Sequence, residues 1–512
     1  MTLTSVGYLL FFTAVAVCYY LVPKRAQNTV LLLGSLIFYT LGLPKNGSLW
    51  LRLLPFFILI ASAVFTFFMG QLIAHTTDKK RRMATAGSIL VCVFVLAVFK
   101  YYNFFVPTVL GFTSFAKLAL PLGISFYTFA SISYLVDVSR GDMPAATDFV
   151  AYMVFVSFFA TITSGPICRA QKLLPQLAAP RNFDEKRITD ALRLALFGFF
   201  KQIAIANVLG LYVNQIFEHL ELYTGFTLLF AAAAYAVQLY FEFAGYSDIA
   251  RASALLLGIE IPINFKTPYF ATNFSGFWSR WHISLSSWLQ DYVFMPLVWG
   301  RWPSHLPVIG KKMVNPPMIS SVALVFILSG FWHGNTLPFV VWGGLQAVYR
   351  VGEELLHQWY QKPQKKPKLP LRIFKTVCVF FLWAESLVFF RIGLLPDGTV
   401  GDCFAYLAKQ WQGLSLHTFW ADTVGAIESG FYVKPFMIIG YCLFILIVLS
   451  IGFYTDWLQC FRYKDRHISL QIATLKPAVR WLIYYGITCL VFAAFIMQSG
   501  GFGTVSFAYA NF

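Results

Sequence analysis

The sequence predicts an all-α polytopic membrane protein, and three observations lead there. Of 512 residues, 58% are hydrophobic and only 12% charged, with a mean hydropathy of +0.66, which is too little polarity to cover a soluble protein of this length. Apolar runs long enough to cross a bilayer recur along the chain, separated by short polar breaks. The basic residues behind the net charge of +17 cluster in those breaks, as in Lys79-Lys80-Arg81-Arg82. Positive-inside topology and anionic membrane lipids account for such clusters without nucleic acid, and the chain carries no zinc finger, RNA-binding signature or P-loop.

In chain order, the apolar runs cover 5–22, 28–43, 52–73 and 84–106, then shorter stretches at 112–134 and 148–163, then 190–214 and 222–244. A broken region near 285–300 precedes a clean run near 318–349, followed by runs at 371–392, 433–455 and 480–498. The pattern predicts roughly eleven to thirteen transmembrane or re-entrant helices. The more polar stretches 401–430 and 456–478 read as surface helices or caps. The apolar N-terminus lacks a basic start and a cleavage pattern, so it reads as the first span rather than a removed signal. Lys24 and Arg25 follow that span, and four positive charges lie between Asp78 and Arg82, which puts the 74–83 loop inside and the N-terminus outside. The loop 361–372, with Lys362, Lys365, Lys366 and Lys368, is then cytoplasmic. Neither an internal repeat nor a separate soluble segment stands out, so the expectation is one membrane-embedded domain over 1–512 with its chemistry within about 238–349. The eight cysteines are scattered without a CxxC pair and read as packing thiols.

Residues 238–300 interleave polar and aromatic side chains in a way ordinary spans do not. Glu242 and Asp248 fall at the end of an apolar run. Asp248 and Arg251, three apart, can pair on one helix face, and Glu242 would suit a proton path. Pro262, Asn264, Pro268 and Asn273 break regular helix, so 262–277 should run as a turn or loop. Broken backbone at membrane depth survives only where protein or a water-filled cavity surrounds it. In "FWSRWHISLSSWLQDY", a helix starting near Asn273 or Ser275 would put Trp278, Trp281 and Leu285 on one side. Interface anchoring explains Trp278 and Arg280 and leaves His282 unexplained.

The second unexplained histidine is in "SGFWHGNT", residues 329–336, where His333 lies well inside the 318–349 run between Gly330 and Gly334. An imidazole in hydrocarbon needs compensation. It is either a core histidine joining two closely packed helices or a general base, for which a pKa near neutrality suits it. The other histidines, at 75, 219, 305, 357, 417 and 467, read as peripheral. His282 and His333 are 51 positions apart, lack the further ligands a zinc site needs, and show no HxxxH or HExxH spacing. No GxSxG elbow is present.

Five stretches carry a resemblance to a known family: "LPLGISFYTFASISYLVDVSRG" at 120–141, "SGPICRAQKLLPQL" at 164–177, the segment 241–297 around "RWHISLS", "LSGFWHGNTLPFVVWGGLQAVY" at 328–349 and "ESLVFFRIG" at 385–393. Together they resemble the membrane-bound O-acyltransferases, over about residues 1–500, and within them the bacterial branch of alginate O-acetyltransferase and teichoic acid D-alanyl transfer proteins. The resemblance implies a ring of helices around a central tunnel. It assigns catalysis to the histidine of the WHG element, here His333, and associates the earlier one, His282, with function. Ser279 stands where many relatives carry a second arginine before "RWH", and Phe331 where leucine is common before "WHG". Donor identity is therefore not carried over from position 279.

The expected chemistry is acyl transfer to a hydroxyl, with acetyl-CoA or another acyl thioester as donor substrate and no permanently bound cofactor. His333 would serve as general base and His282 would orient a substrate or share the proton. Trp281, Trp332 and Asn273 would shape the binding site, and Asn335 would donate to the developing oxyanion. The acceptor would be an envelope polysaccharide, reached through an extracytoplasmic acyltransferase partner protein, in a bacterial plasma (inner) membrane. An acyl carrier protein is the expected donor partner if the group moved is D-alanyl. A transporter or a non-enzymatic membrane scaffold are the competing classes. The first would bind and move a solute without thioester turnover, and the second would need neither histidine.

Overall fold

The structure, a computed structural model, describes residues 2–45, 48–109, 118–299, 316–360, 368–431 and 437–499. His305 and the lysines at 362, 365 and 366 lie outside the described residues. Every regular element among the described residues is helical. The first half of the chain holds α1 (Val6–Leu21), α2 (Gln27–Leu41), α3 (Leu49–His75), α4 (Asp78–Val109), α5 (Ile124–Arg140), α6 (Phe149–Ser157), α7 (Ala170–Ala178), α8 (Glu185–Phe199), α9 (Val208–Glu218) and α10 (Gly225–Leu256). The second half holds α11 (Phe274–Trp278), α12 (Ile283–Leu289), α13 (Met295–Trp299), α14 (Pro316–His333), α15 (Leu337–Tyr360), α16 (Leu369–Gly393), α17 (Val400–Lys409), α18 (Leu416–Phe431), α19 (Ile438–Trp457), α20 (Ile468–Ile472) and α21 (Pro477–Ser499).

Seven described helices are long and apolar enough to cross a membrane: α3, α4, the continuous run Glu185–Glu218, α10, α16, α19 and α21. The chain is thus a multi-pass membrane protein. In Glu185–Glu218 a π-helical stretch, Phe200–Asn207, joins α8 to α9. Val6–Leu21 and Met318–His333 are apolar but shorter. Several other apolar runs became helices too short to span about 30 Å alone, the 15-residue α2 among them. The 9-residue α6 and the 17-residue α5 are of this kind, and α5 is buried on nearly every side.

The chain divides into two compact units. The first comprises residues up to Ala195 together with Tyr246–Ile263. Here tyrosines of α1 bind the C-terminal end of α10: Tyr8 Oη donates to Ser253 Oγ (2.8 Å) and Tyr19 Oη to the Leu257 carbonyl (2.9 Å). Asp248 and Arg251 form the expected pair at 3.3 Å. Gly123, at φ +67°, opens α5 where a Cβ would lie 1.7 Å from the Ile162 carbonyl oxygen, so only glycine fits.

The second unit comprises Leu196–Gly245 and the described residues from Asn264 onward. Buried polar pairs tie its helices together. Tyr240 Oη donates to Asp456 Oδ2 at 2.6 Å, joining α10 to α19. Gln346 Nε2 donates to Ser386 Oγ at 2.9 Å, joining α15 to α16. Arg391 donates to Asn214 Oδ1 at 2.9 Å and lays its guanidinium over the Phe217 ring. Groups left unpaired in hydrocarbon would each cost several kcal/mol, on the order of the penalty for a lost backbone bond.

Candidate active site

His333 is the last residue of α14 and is 4% exposed. The clean 318–349 run is a helical hairpin rather than one uninterrupted segment, so His333 sits at a helix end instead of deep within a span. Gly334 ends the first helix, and the Phe339 ring occupies the space where a Cβ on Gly334 would stand, 2.2 Å away. Thr336 Oγ1 ties the turn to the Gly393 carbonyl at 3.2 Å. The two arms meet backbone to backbone: a Cβ on Gly330 would lie 2.4 Å from the Phe339 carbonyl oxygen, and one on Gly343 2.5 Å from that of Phe326. Small residues at such crossings let membrane helices approach closely.

His282 comes from a different local device. The helix expected from Asn273 onward is two short helices, α11 and α12, with a turn between them. His282 closes that turn with left-handed backbone (φ 43°, ψ 52°), which no helix interior tolerates. The 264–267 strip holds the turn in place. The Ile283 N–H donates to the Asn264 carbonyl (2.9 Å), and the Ser284 N–H and Oγ–H donate to Asn264 Oδ1 (3.2 and 2.6 Å). The Lys266 N–H donates to the Arg280 carbonyl (3.0 Å). In return, Arg280 Nη1 donates to the Lys266 carbonyl (3.1 Å) and pairs with Asp465 at 3.4 Å. The 262–277 stretch is irregular as expected, apart from one 3₁₀ turn at Pro268–Phe270 and the start of α11. His282 is 1% exposed, and burial pushes its imidazole down to about 3, so the ring is neutral at ordinary pH.

A continuous series of aromatic rings joins the two histidines. Phe243 meets His282 edge-on at 4.7 Å, and Phe265 lies 6.5 Å from it. Phe265 packs perpendicular to Trp281 at 5.1 Å, and Trp281 packs on Trp383 at 4.9 Å. Trp383 lies 6.3 Å from Trp342, and Trp342 stands 5.2 Å from His333. Phe390 and Trp332 also pack on His333, at 5.1 and 4.6 Å. The histidines thus share one aromatic wall within one compact unit, built from α10, the 264–289 segment and the hairpin α14–α15 with α16. The indole N–H groups of Trp278 and Trp342 are buried without a hydrogen-bond partner among the described residues, which leaves donors available to a bound acceptor.

The remaining residues expected from sequence fall in distinct places. Trp281 is in the wall and Trp332 lies against His333. Asn273 is exposed and caps α11, its Oδ1 accepting from the Gly276 N–H at 2.7 Å. Asn335 is exposed in the hairpin turn. Glu242 is buried on α10. Sequence reasoning did not single out Trp342, Trp383, Phe390 or Phe243, and treated Asn264 only as a helix breaker. It also missed Glu353 of α15, whose carboxylate accepts from the Ser275 N–H at 3.0 Å and pairs with Arg350 at 3.3 Å. Nothing in their spacing marks these residues, because the contacts cross between helices distant in sequence.

Comparison with known proteins identifies the family of the chain. Residues 45–390 match the membrane-bound O-acyltransferase family (MBOAT). A probable alginate O-acetylase AlgI of Azotobacter vinelandii is 33% identical over 384 residues, covering 73% of this chain and 71% of the relative. A peptidoglycan O-acetyltransferase of Helicobacter pylori is 29% identical over 367 residues, 64% of this chain and 66% of the relative. A teichoic acid D-alanyltransferase of Bacillus subtilis is 28% identical over 250 residues, 47% of this chain and 60% of the relative.

Proposed function

Since the chain belongs to the membrane-bound O-acyltransferase family and is an O-acyltransferase, we propose that it moves an acetyl group from a cytoplasmic thioester, acetyl-CoA foremost, toward hydroxyls of an extracytoplasmic polysaccharide. The observation that carries this reading is the placement of His333, buried at a helix end beside the Trp342 indole, whose N–H has no hydrogen-bond partner among the described residues. His333 takes the proton of the attacking hydroxyl as its oxygen bonds to the thioester carbonyl carbon. The tetrahedral intermediate collapses, the carbon–sulfur bond breaks, and the thiolate leaves with the proton returned from His333. General acid–base help of this kind is worth roughly 10²–10⁴ in rate. The Trp342 N–H donates to the carbonyl oxygen as negative charge develops there, a role for which the exposed Asn335 is less suited. His282, kept neutral by burial, orients substrate across the wall from His333.

The relatives named as O-acetylases support acetyl as the group moved, and alginate-like or other envelope polysaccharides as the final acceptor. The chain would pass the group to a separate extracytoplasmic acyltransferase, from a bacterial inner membrane with its own N-terminus outside. Similarity to a D-alanyltransferase supports a second reading, D-alanyl delivered by a carrier protein.

The test is reconstitution of the purified chain in vesicles with acetyl-labelled acetyl-CoA, beside a folded His333→Ala variant. CoA release and label on the far side, both lost in the variant, are expected. Equal turnover in the two proteins would overturn the role of His333. Turnover with D-alanyl carrier protein alone would select the second reading.

A further inference from the structure

A second site lies in the same compact unit, among the last helices. A cavity of about 530 Å³ opens between the end of α19 and the start of α21, roofed by α20. That is within the range of about 300–1,000 Å³ usual for small-molecule sites. Its walls are almost wholly apolar, among them Phe197, Ile451, Leu458, Ile472, Ile487 and Leu490. The long helices that frame it, α19 and α21, have only 22% and 11% of their apolar windows covered by protein. Both helices thus leave most of their apolar surface uncovered by protein, and acyl chains of the bilayer can reach the cavity between them.

One end of it is differently made. Tyr463 and Leu475 line the cavity there, and Arg462, Lys464 and Lys476 directly flank them in the chain. Arg462 lies 6.0 Å over the Tyr463 ring, and Arg480 reaches back to the Ala473 carbonyl at 3.5 Å, just beyond α20. Between 462 and 480 the chain holds five Lys and Arg residues against one acid, Asp465, and Asp465 is already paired with Arg280. Trp457, Trp481 and Tyr485, 45%, 52% and 64% exposed, lie on the two framing helices near this end, aromatics of the kind that anchor at a membrane interface.

An apolar slot open to the bilayer, with a basic collar at headgroup height, has the chemistry of an anionic phospholipid: a tail in the slot and a phosphate at the collar. We propose that this chain binds one such lipid, of the phosphatidylglycerol type, between α19 and α21. The site is independent of the acyl-transfer reading, because none of its residues belongs to the aromatic wall.

Gly486 supplies a clean probe. It lines the cavity, and a Cβ there meets no atom within 4 Å, so the side chain of Gly486→Phe starts in open space and its ring takes up slot volume. The purified full-length chain would be exchanged into nanodiscs or micelles containing equal phosphatidylglycerol and phosphatidylcholine, and retained lipid read by native mass spectrometry. Phosphatidylglycerol is expected to be retained selectively by the parent and lost from Gly486→Phe. The double variant Arg462→Gln/Arg480→Gln should keep the tail site but lower the preference for phosphatidylglycerol roughly 30-fold, the worth of two basic residues at an anionic surface. Equal retention of both lipids by the parent, or undiminished preference in the double variant, would overturn the proposal. So would unchanged retention in Gly486→Phe, and the two sets of variants fail independently if one does not fold.

Discussion

The Trp342 indole stands at 88° to the His333 imidazole, with ring centroids 5.2 Å apart, and both belong to the hairpin α14–α15. Edge-to-face packing of this kind fixes a ring's orientation and adds about 0.5–1.5 kcal/mol beyond burial. Trp342→Phe keeps an aromatic edge but removes the N–H. It should lower kcat by about 10- to 100-fold, on the scale of one lost oxyanion donor or less, with little change in thermal stability. Trp342→Ala should also destabilise by about 3–5 kcal/mol. CoA-release kinetics beside thermal unfolding in detergent separate the two effects. A Trp342→Phe enzyme of full activity would remove the indole N–H from the mechanism.

The hairpin itself should break at Gly343. A Cβ there would lie 2.5 Å from the Phe326 carbonyl oxygen and 3.0 Å from Gly330 Cα, so the backbones must part. Gly343→Val is expected to cost at least about 1–3 kcal/mol, as overpacking does. Its neighbour Gly344, where a Cβ meets nothing within 4 Å, should accept alanine at no cost. Melting temperatures of the two variants test the contrast.

Glu353 should matter to the segment bearing the other histidine. It caps the first turn of α11 through the Ser275 N–H, and α11 leads directly into the turn that ends at His282. Glu353→Ala should cost about 0.5–2 kcal/mol, and Glu353→Gln, which keeps an acceptor, should recover part of it. The readout is again thermal stability, with acyl transfer as a second axis. A merely structural cap moves both together, whereas a misplaced His282 alters transfer first.

The pH dependence of stability follows from His282. Its folded imidazole is held down to about 3, while an unfolded histidine titrates near 6.5. Between those values the unfolded chain binds a proton that the folded chain excludes. Stability from this site is therefore full above about pH 6.5 and is lost progressively as pH falls toward 3. His282→Asn, which accepts left-handed backbone, should flatten the dependence over that window. Parallel slopes in parent and variant would contradict the burial of a neutral ring.

The sequence disclosed some of this readily and some not at all. Composition and runs of apolar residues were enough for an all-α multi-pass chain, since hydrocarbon permits few alternatives. They could not separate spans from buried half-length helices such as α5, because both are equally apolar. The fold-back of the 318–349 run was passed over although Gly334, Asn335 and Thr336 mark a short polar turn there, because the apolar residues on both sides read as one continuous segment. His282 and His333 stood out as polar groups in the wrong solvent. Trp342 and Trp383 did not, because an aromatic in an apolar run is unremarkable until another helix brings a histidine to its face. Asn273 looked like a site residue for the same polarity that makes it a good cap.

The glycine contact between Gly330 and Gly343 also bears on how the site can move. Two helices whose backbones touch have no compliant layer of side chains between them to act as a bearing, so His333 and Trp342 travel as one piece. Of the rings packed on the imidazole, Trp332 and Trp342 belong to the hairpin and Phe390 to α16. Any slide of the hairpin against α16 would therefore carry His333 past Phe390 while leaving both indoles in place around it.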